Sequence, residues 1–246
     1  MTQEWPPGPF FVMDLTSRIA QRLQEVRRRL AESARRAGRR PEDVKLLAVS
    51  KTFGLDYVRA AALAGQQDFG ENRVQEALQK IAATSELRIR WHLIGTLQSN
   101  KVRKAAPSFS AVHSVDSLRL LEALDAAGRE TGSAPELLVQ VDLAGEATKH
   151  GAAPAAAIEI VKAASRCRTA RLVGLMTIPP LFDDPEDARP YFAQLRDLRA
   201  GLLKEGLDPA LMRELSMGMS HDFEVAVQEG ATMVRVGTAI FGERPV

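Results

Sequence analysis

The chain has 246 residues, 45% of them hydrophobic, which is enough for one large domain or two small ones. Its 33 basic and 31 acidic side chains leave a formal charge of +2, too balanced for a nucleic-acid binder, and no apolar stretch reaches membrane-span length. The single cysteine, Cys167, excludes an internal disulfide framework, fits a reducing compartment, and lies in a helical pattern that reads as a packed thiol. Residues 1–14 contain Trp5-Pro6-Pro7-Gly8-Pro9 and lack the basic segment and apolar core of a secretory signal. They are expected to form a poorly ordered extension before a single domain at 15–246, and the cytoplasm is the expected location.

The first helix is marked by Leu15, Ile19, Leu23, Val26 and Leu30, one apolar stripe at helical spacing. Arg22, Arg28, Arg29, Arg35 and Arg36 fall on the other side and read as a solvated face. Gly38 and Pro41 end the helix. Short apolar runs then alternate with helical patterns. Strands are expected at 45–50, 67–70, 89–94, 111–115, 137–141, 172–177, 214–217 and 233–236. Helices are expected at 55–64, 73–83, 117–128, 155–166, 188–205 and 222–229, with a weaker one at 100–105. Strict alternation argues for parallel pairing, and eight strands suit a single closed (β/α)8 TIM barrel. An open doubly wound sheet would carry a glycine-rich turn after its first strand, and Ser50-Lys51-Thr52-Phe53-Gly54 does not fit one.

In such a barrel, chemistry collects at the carboxyl ends of the strands. Lys51 ends the run Leu46-Leu47-Ala48-Val49-Ser50, leaving an apolar wall for the mouth, where a lysine can form a Schiff base. The loops after strands seven and eight commonly bind phosphate. Here they hold Ser216-Met217-Gly218-Met219-Ser220 and Gly237-Thr238. Arg235 interrupts a strand that should be buried, so it needs a partner: a carboxylate such as Glu71 or Asp142, or a group bound at the mouth. A Schiff-base lysine, a phosphate cradle and a buried arginine together describe pyridoxal 5'-phosphate. The arginine would meet the ring nitrogen. It cannot readily surrender a proton there, which leaves the ring a weak electron sink.

These stretches, with Phe69-Gly70-Glu71-Asn72, His92-Leu93-Ile94-Gly95-Thr96-Leu97-Gln98-Ser99-Asn100-Lys101, Val112-His113-Ser114-Val115-Asp116, Gly145-Glu146-Ala147-Thr148-Lys149-His150-Gly151 and Met233-Val234-Arg235-Val236-Gly237-Thr238, resemble the pyridoxal phosphate homeostasis proteins, the YggS/PROSC group. The resemblance covers nearly all of residues 15–243 in order. It implies an alanine-racemase-like barrel holding pyridoxal phosphate on Lys51, with Asn72 near the cofactor, Ser216 or Ser220 with Gly237 and Thr238 at the phosphate, and Arg235 facing the pyridine nitrogen. It also implies intracellular handling of the cofactor, its supply to apo-enzymes among the roles, without established turnover. Arg73, Ala144 and His221 depart from residues frequent in the family.

The alternative is an amino-acid racemase of weak activity. Related racemases use a tyrosine from a second domain. This chain is expected to have none, and its only tyrosines, Tyr57 and Tyr191, fall in outer helices. No catalytic residue and no metal site are assigned, and a monomer is expected. Lys149, expected on the loop after strand five, is assigned a transfer role: it would accept the aldehyde from Lys51 by transimination and lead it outward.

Overall fold

A computed structural model describes residues 9–145 and 150–243. Its centre is a closed, all-parallel barrel of eight strands in sequence order. The strands are β1 (Lys45–Val49), β2 (Asp68–Glu71), β3 (Arg90–Leu93), β4 (Ala111–Val115), β5 (Glu136–Gln140), β6 (Arg171–Met176), β7 (Glu214–Ser216) and β8 (Met233–Val236). The helices are α1 (Pro9–Arg36), α2 (Leu55–Leu63), α3 (Val74–Ala83), α4 (Val102–Ala105), α5 (Leu118–Thr131), α6 (Pro154–Ala164), α7 (Arg189–Lys204), α8 (Phe223–Gln228) and α9 (Thr238–Phe241). Each expected strand forms. β2 is displaced by one residue because Glu71 joins the ladder opposite Leu93 while Asp68 pairs with Arg90. Among the described residues, no helix is long and apolar enough to cross a membrane.

The barrel closes where β1 pairs with β8, Leu47 opposite Arg235 and Ala48 opposite Val236. Side chains alternate across each strand. Ala48, Phe69, Leu93, Leu137, Leu215, Val234 and Val236 therefore pack outward under the helices in one continuous core. Leu138, Val173 and Met176 form a separate, smaller cluster. Polar side chains occupy much of the space inside the barrel, and ion pairs collect at the amino ends of the strands, among them Lys45–Glu214 and Arg90–Asp68, each at 2.5 Å.

Helix α1 buries Leu15, Ile19, Leu23, Val26 and Leu30, as their spacing requires, against α2, α8 and α9. Its arginines are not all solvated. Arg29 pairs with Glu224 at 2.7 Å and lies 4.9 Å from the centre of the Phe223 ring, which fastens α1 to α8. Arg28 is exposed and bridges Glu25 and Glu32 along the helix. Cys167 is half-buried, and burial raises its thiol pKa.

One outer connection depends on a carboxylate. Asp125 of α5 accepts the backbone N–H groups of Arg168, Thr169 and Ala170 and the Thr169 hydroxyl at the entrance to β6. Burial pushes its pKa up, but the N–H groups of Ala170 and Thr169, the Thr169 hydroxyl and the Arg168 N–H outweigh it and hold the group at about 2. A depressed carboxylate contributes stability that is present above its ordinary value of 3.8 and lost as pH falls through about 2. Asp125→Ala leaves three backbone donors without this acceptor. It should cost roughly 2 kcal/mol in urea unfolding at pH 7 and flatten the acid limb of the stability curve; an unchanged midpoint contradicts this role.

Candidate binding site at the carboxyl ends of the strands

Lys51 is half-buried and begins the turn that leaves β1. The next residue, Thr52, has φ of 70°. For a β-branched residue that conformation is unusual and costs about 1–3 kcal/mol, so neighbouring contacts must impose it. They come from α3 and β2. Lys80 Nζ donates to the Ser50 carbonyl at 2.9 Å, to Glu71 Oε1 at 2.7 Å and to Glu76 Oε1 at 2.8 Å. Ser50 Oγ donates to Glu71 Oε1 at 2.7 Å, and Thr52 N–H donates to Glu76 Oε1 at 2.9 Å. Lys80 and Glu76 thus grip the backbone on either side of Lys51, while Glu71 holds the Ser50 hydroxyl and Lys80. Glu71 is fully buried; burial raises its pKa against the opposing pull of Lys80 and Ser50. Below the turn, Phe53 packs against Tyr57 and Phe241, with ring centres 5.0 and 5.2 Å away.

Arg235 is 3% exposed and lies inside the barrel. Glu71 and Asp142, the carboxylates considered from sequence, are engaged elsewhere: Glu71 with Lys80, and Asp142 Oδ1 with the N–H groups of Ala144 and Gly145. Instead Arg235 Nη1 donates to Ser216 Oγ and Nη2 to the Thr177 carbonyl, both at 2.8 Å. Burial lowers its pKa to about 10, with Asp222 opposing, so it keeps its charge at neutral pH.

The late loops meet at Ser220, whose hydroxyl accepts the N–H of Gly237 at 3.1 Å and of Ala239 at 3.3 Å. Gly237 runs against β1: a Cβ there would sit 3.2 Å from the Val49 carbonyl oxygen. Gly218 has φ of 93°, and a Cβ there would come 2.5 Å from that of Ala226, so glycine is required on both counts. Ser220 and Thr238 line an opening bounded by Leu181, Phe182 and His221. Ser216 lies apart from this cradle, with Arg235 inside the barrel.

Asn72 follows β2 at the same rim. It lines a cleft of about 470 Å³ together with Arg73, Gly95, Gln140, Asp142 and Ile178. A Cβ on Gly95 would fall 2.2 Å from the Asn72 carbonyl oxygen, so the two loops touch backbone to backbone. Seven residues expected at the site (Lys51, Asn72, Ser216, Ser220, Arg235, Gly237 and Thr238) therefore lie at strand ends or in the loops that follow them. Lys149 lies outside the described residues.

This donor set fits pyridoxal 5'-phosphate. A cradle of backbone N–H groups and hydroxyls suits a phosphate. A charged guanidinium bonded to neutral oxygens suits an aromatic nitrogen, and a lysine amine suits an aldehyde. Two further features were missed in the sequence. Lys80 stands on the face of α3 that buries Val74 and Ala77; a charged residue on an apolar stripe is the signal for it. The second is the pair His92 and His113, which occupies alternate positions on adjacent inner strands.

Lys80→Met leaves Glu71 buried without its cation and releases the Ser50 carbonyl. It should destabilise the fold by about 3 kcal/mol in urea unfolding, whereas an unchanged midpoint contradicts the grip on this turn.

The family model for the alanine racemase N-terminal domain matches residues 21–245. The pyridoxal phosphate homeostasis protein of Pseudomonas aeruginosa is 45% identical over 229 residues, which span 93% of this chain and 96% of that protein. Its counterpart in Aquifex aeolicus is 42% identical over 224 residues, spanning 91% and 97%. The solved structure of PipY from Synechococcus elongatus with PLP bound superposes with a TM-score of 0.81 at 42% identity, over 91% of this chain and 100% of that one. The alanine racemase of Corynebacterium glutamicum shares the fold, with a TM-score of 0.71 at 20% identity, and this chain covers 62% of it.

Proposed function

This chain belongs to the pyridoxal phosphate homeostasis proteins, within the alanine racemase N-terminal domain family, and from that premise we propose that it holds pyridoxal 5'-phosphate at the barrel mouth on Lys51. The observation that carries the proposal is the closing pair of strands, which sets the β1 end beside Gly237 and the Ser220 cradle. When bound, the cofactor supplies an aldehyde that condenses reversibly with a lysine amine and releases water. Lys51 presents that amine from a backbone pinned by Lys80 and Glu76. Ser220, Gly237 and Thr238 receive the phosphate, and Asn72 borders the ring. Arg235 faces the ring nitrogen with N–H groups only; a guanidinium has no acceptor and keeps its proton at neutral pH. Proton-withholding at that atom weakens the ring as an electron sink.

That arrangement favours storing and handing on the cofactor over transforming amino acids. The tyrosines agree: Tyr57 of α2 packs on Phe53, and Tyr191 of α7 packs on Phe182 with ring centres 5.8 Å apart. Both rings are engaged in aromatic contacts, Tyr57 beneath the turn that carries Lys51 and Tyr191 behind the loop that bounds the cradle. The partners we assign are apo-enzymes that need the cofactor, served by an intracellular monomer.

Addition of pyridoxal phosphate should produce a visible absorbance band that borohydride bleaches, and peptide mapping should place the reduced adduct on Lys51. An adduct on another lysine overturns the assignment. Ser220→Ala should weaken cofactor binding roughly tenfold, since one hydroxyl in a charge-assisted cradle is lost, while Ser216→Ala leaves the phosphate contact intact. Because Ser216 also bears on Arg235, the two variants are compared with inorganic phosphate as the ligand, and the reverse order there would move the cradle to Ser216.

A further inference from the structure

Arg235 is one end of a hydrogen-bonded chain that crosses the barrel. Its Nη1 donates to Ser216 Oγ at 2.8 Å. Ser216 Oγ is 3.0 Å from His113 Nδ1. His113 Nε2 is 3.0 Å from His92 Nδ1, and His92 Nε2 is 3.2 Å from Asp68 Oδ1. The participants come from β8, β7, β4, β3 and β2. His113 is fully buried, and His92 and Ser216 are buried.

The two ends leave two proton patterns for the links between them. Arginine can only donate, and an ionised carboxylate can only accept. Asp68 is ionised: burial raises its pKa, but His92 and Arg90 overcome this and hold it at about 2. Ser216 accepts from Arg235; with two lone pairs it can either turn its hydroxyl proton to His113 Nδ1 or accept a second proton from that nitrogen. In the first pattern a neutral His113 carries its proton on Nε2 and gives it to a neutral His92 Nδ1; in the second it carries it on Nδ1 and an imidazolium His92 donates to its Nε2. In both, His92 carries a proton on Nε2 and gives it to Asp68. Burial, with His92, Arg235 and Lys45 nearby, holds the His113 pKa well below its ordinary 6.5, in agreement with a neutral ring.

We propose that the chain takes the first pattern, with both rings neutral, so that His92 and His113 are positioning residues that fix the orientation of the Ser216 hydroxyl and present Arg235 as the donor to the ring nitrogen of the bound cofactor. Among the described residues, Ser216 supplies the hydroxyl that meets Arg235. If its proton is free to rotate, it becomes a second donor at the same place and Arg235 loses an acceptor. The histidine pair removes that freedom. The acidic end opens into a cavity of about 570 Å³ at the amino ends of the strands, lined by Lys45, Asp68, Arg90, His92, Glu136 and Arg171. Charge at that end is thereby coupled to the opposite mouth through neutral links.

The role toward the ring nitrogen rests on the cofactor reading above; the tautomers do not. Nitrogen-15 spectra of histidine-labelled protein without cofactor should show His92 and His113 neutral and protonated on Nε2 at pH 7. A proton on Nδ1 of either ring, or an imidazolium, overturns the relay. His92→Leu breaks the chain, whereas His92→Gln keeps an acceptor toward His113 and a donor toward Asp68. The leucine variant should show mixed His113 tautomers and bind pyridoxal phosphate roughly tenfold more weakly, with the glutamine variant restoring both. Equal affinity in the three proteins overturns the positioning role. If the parent forms no adduct on Lys51, the cofactor reading fails instead, and the tautomers in the cofactor-free protein decide the relay alone.

Discussion

Parallel pairing of β1 with β8 is the contact on which the site depends. It joins the first and last strands of the sheet, with Leu47 opposite Arg235 and Ala48 opposite Val236. The lysine that follows β1 and the glycine loop that follows β8 become neighbours by this register alone. A shift by one residue would turn Arg235 out among the helices and bring Val236 inside, because side-chain direction alternates along a strand. The outward positions of Val234 and Val236 are fully buried under helices, which makes that slip expensive. The apolar shell thus determines which polar residues face the interior.

The interior is unusually polar for a barrel core. Its groups are arranged so that nearly all have partners: the ion pairs at the amino ends, the histidine chain across the middle, and Arg235 on two neutral oxygens near the mouth. Buried polar networks are stabilising only when satisfied, and removal of a single member strands the others. The Lys80 cluster, outside the barrel, holds a threonine in the left-handed region next to Lys51 and leaves one buried oxygen, Glu71 Oε2, without a hydrogen-bond partner. Stability is spent there on the position of one amine.

Much of this was legible in the sequence, because strand and helix periodicities and the residues at strand ends are local properties. Lys51, Arg235 and the Ser216–Ser220 and Gly237–Thr238 loops could be placed on one rim from strand order alone. Partnerships were not legible. Arg235 was expected to seek Glu71 or Asp142 if it formed an internal ion pair, yet Glu71 lies on the outward side of β2, where it meets Lys80 of α3. Arg29 read as solvated, yet it finds Glu224 far along the chain. His113 stood in a motif without a role, since only the stagger of β3 against β4 brings it within 3.0 Å of His92. The two candidate serines, inseparable by motif, occupy different surroundings, Ser216 on Arg235 and Ser220 on the Gly237 loop.

A crystal structure of the protein grown with pyridoxal phosphate tests the whole arrangement at once. Continuous density from Lys51 Nζ, a phosphate against Ser220, Gly237 and Thr238, and a ring nitrogen facing Arg235 are the predicted result. A phosphate seated instead in the cleft beside Asn72 and Gly95, or a cofactor attached elsewhere than Lys51, would contradict it.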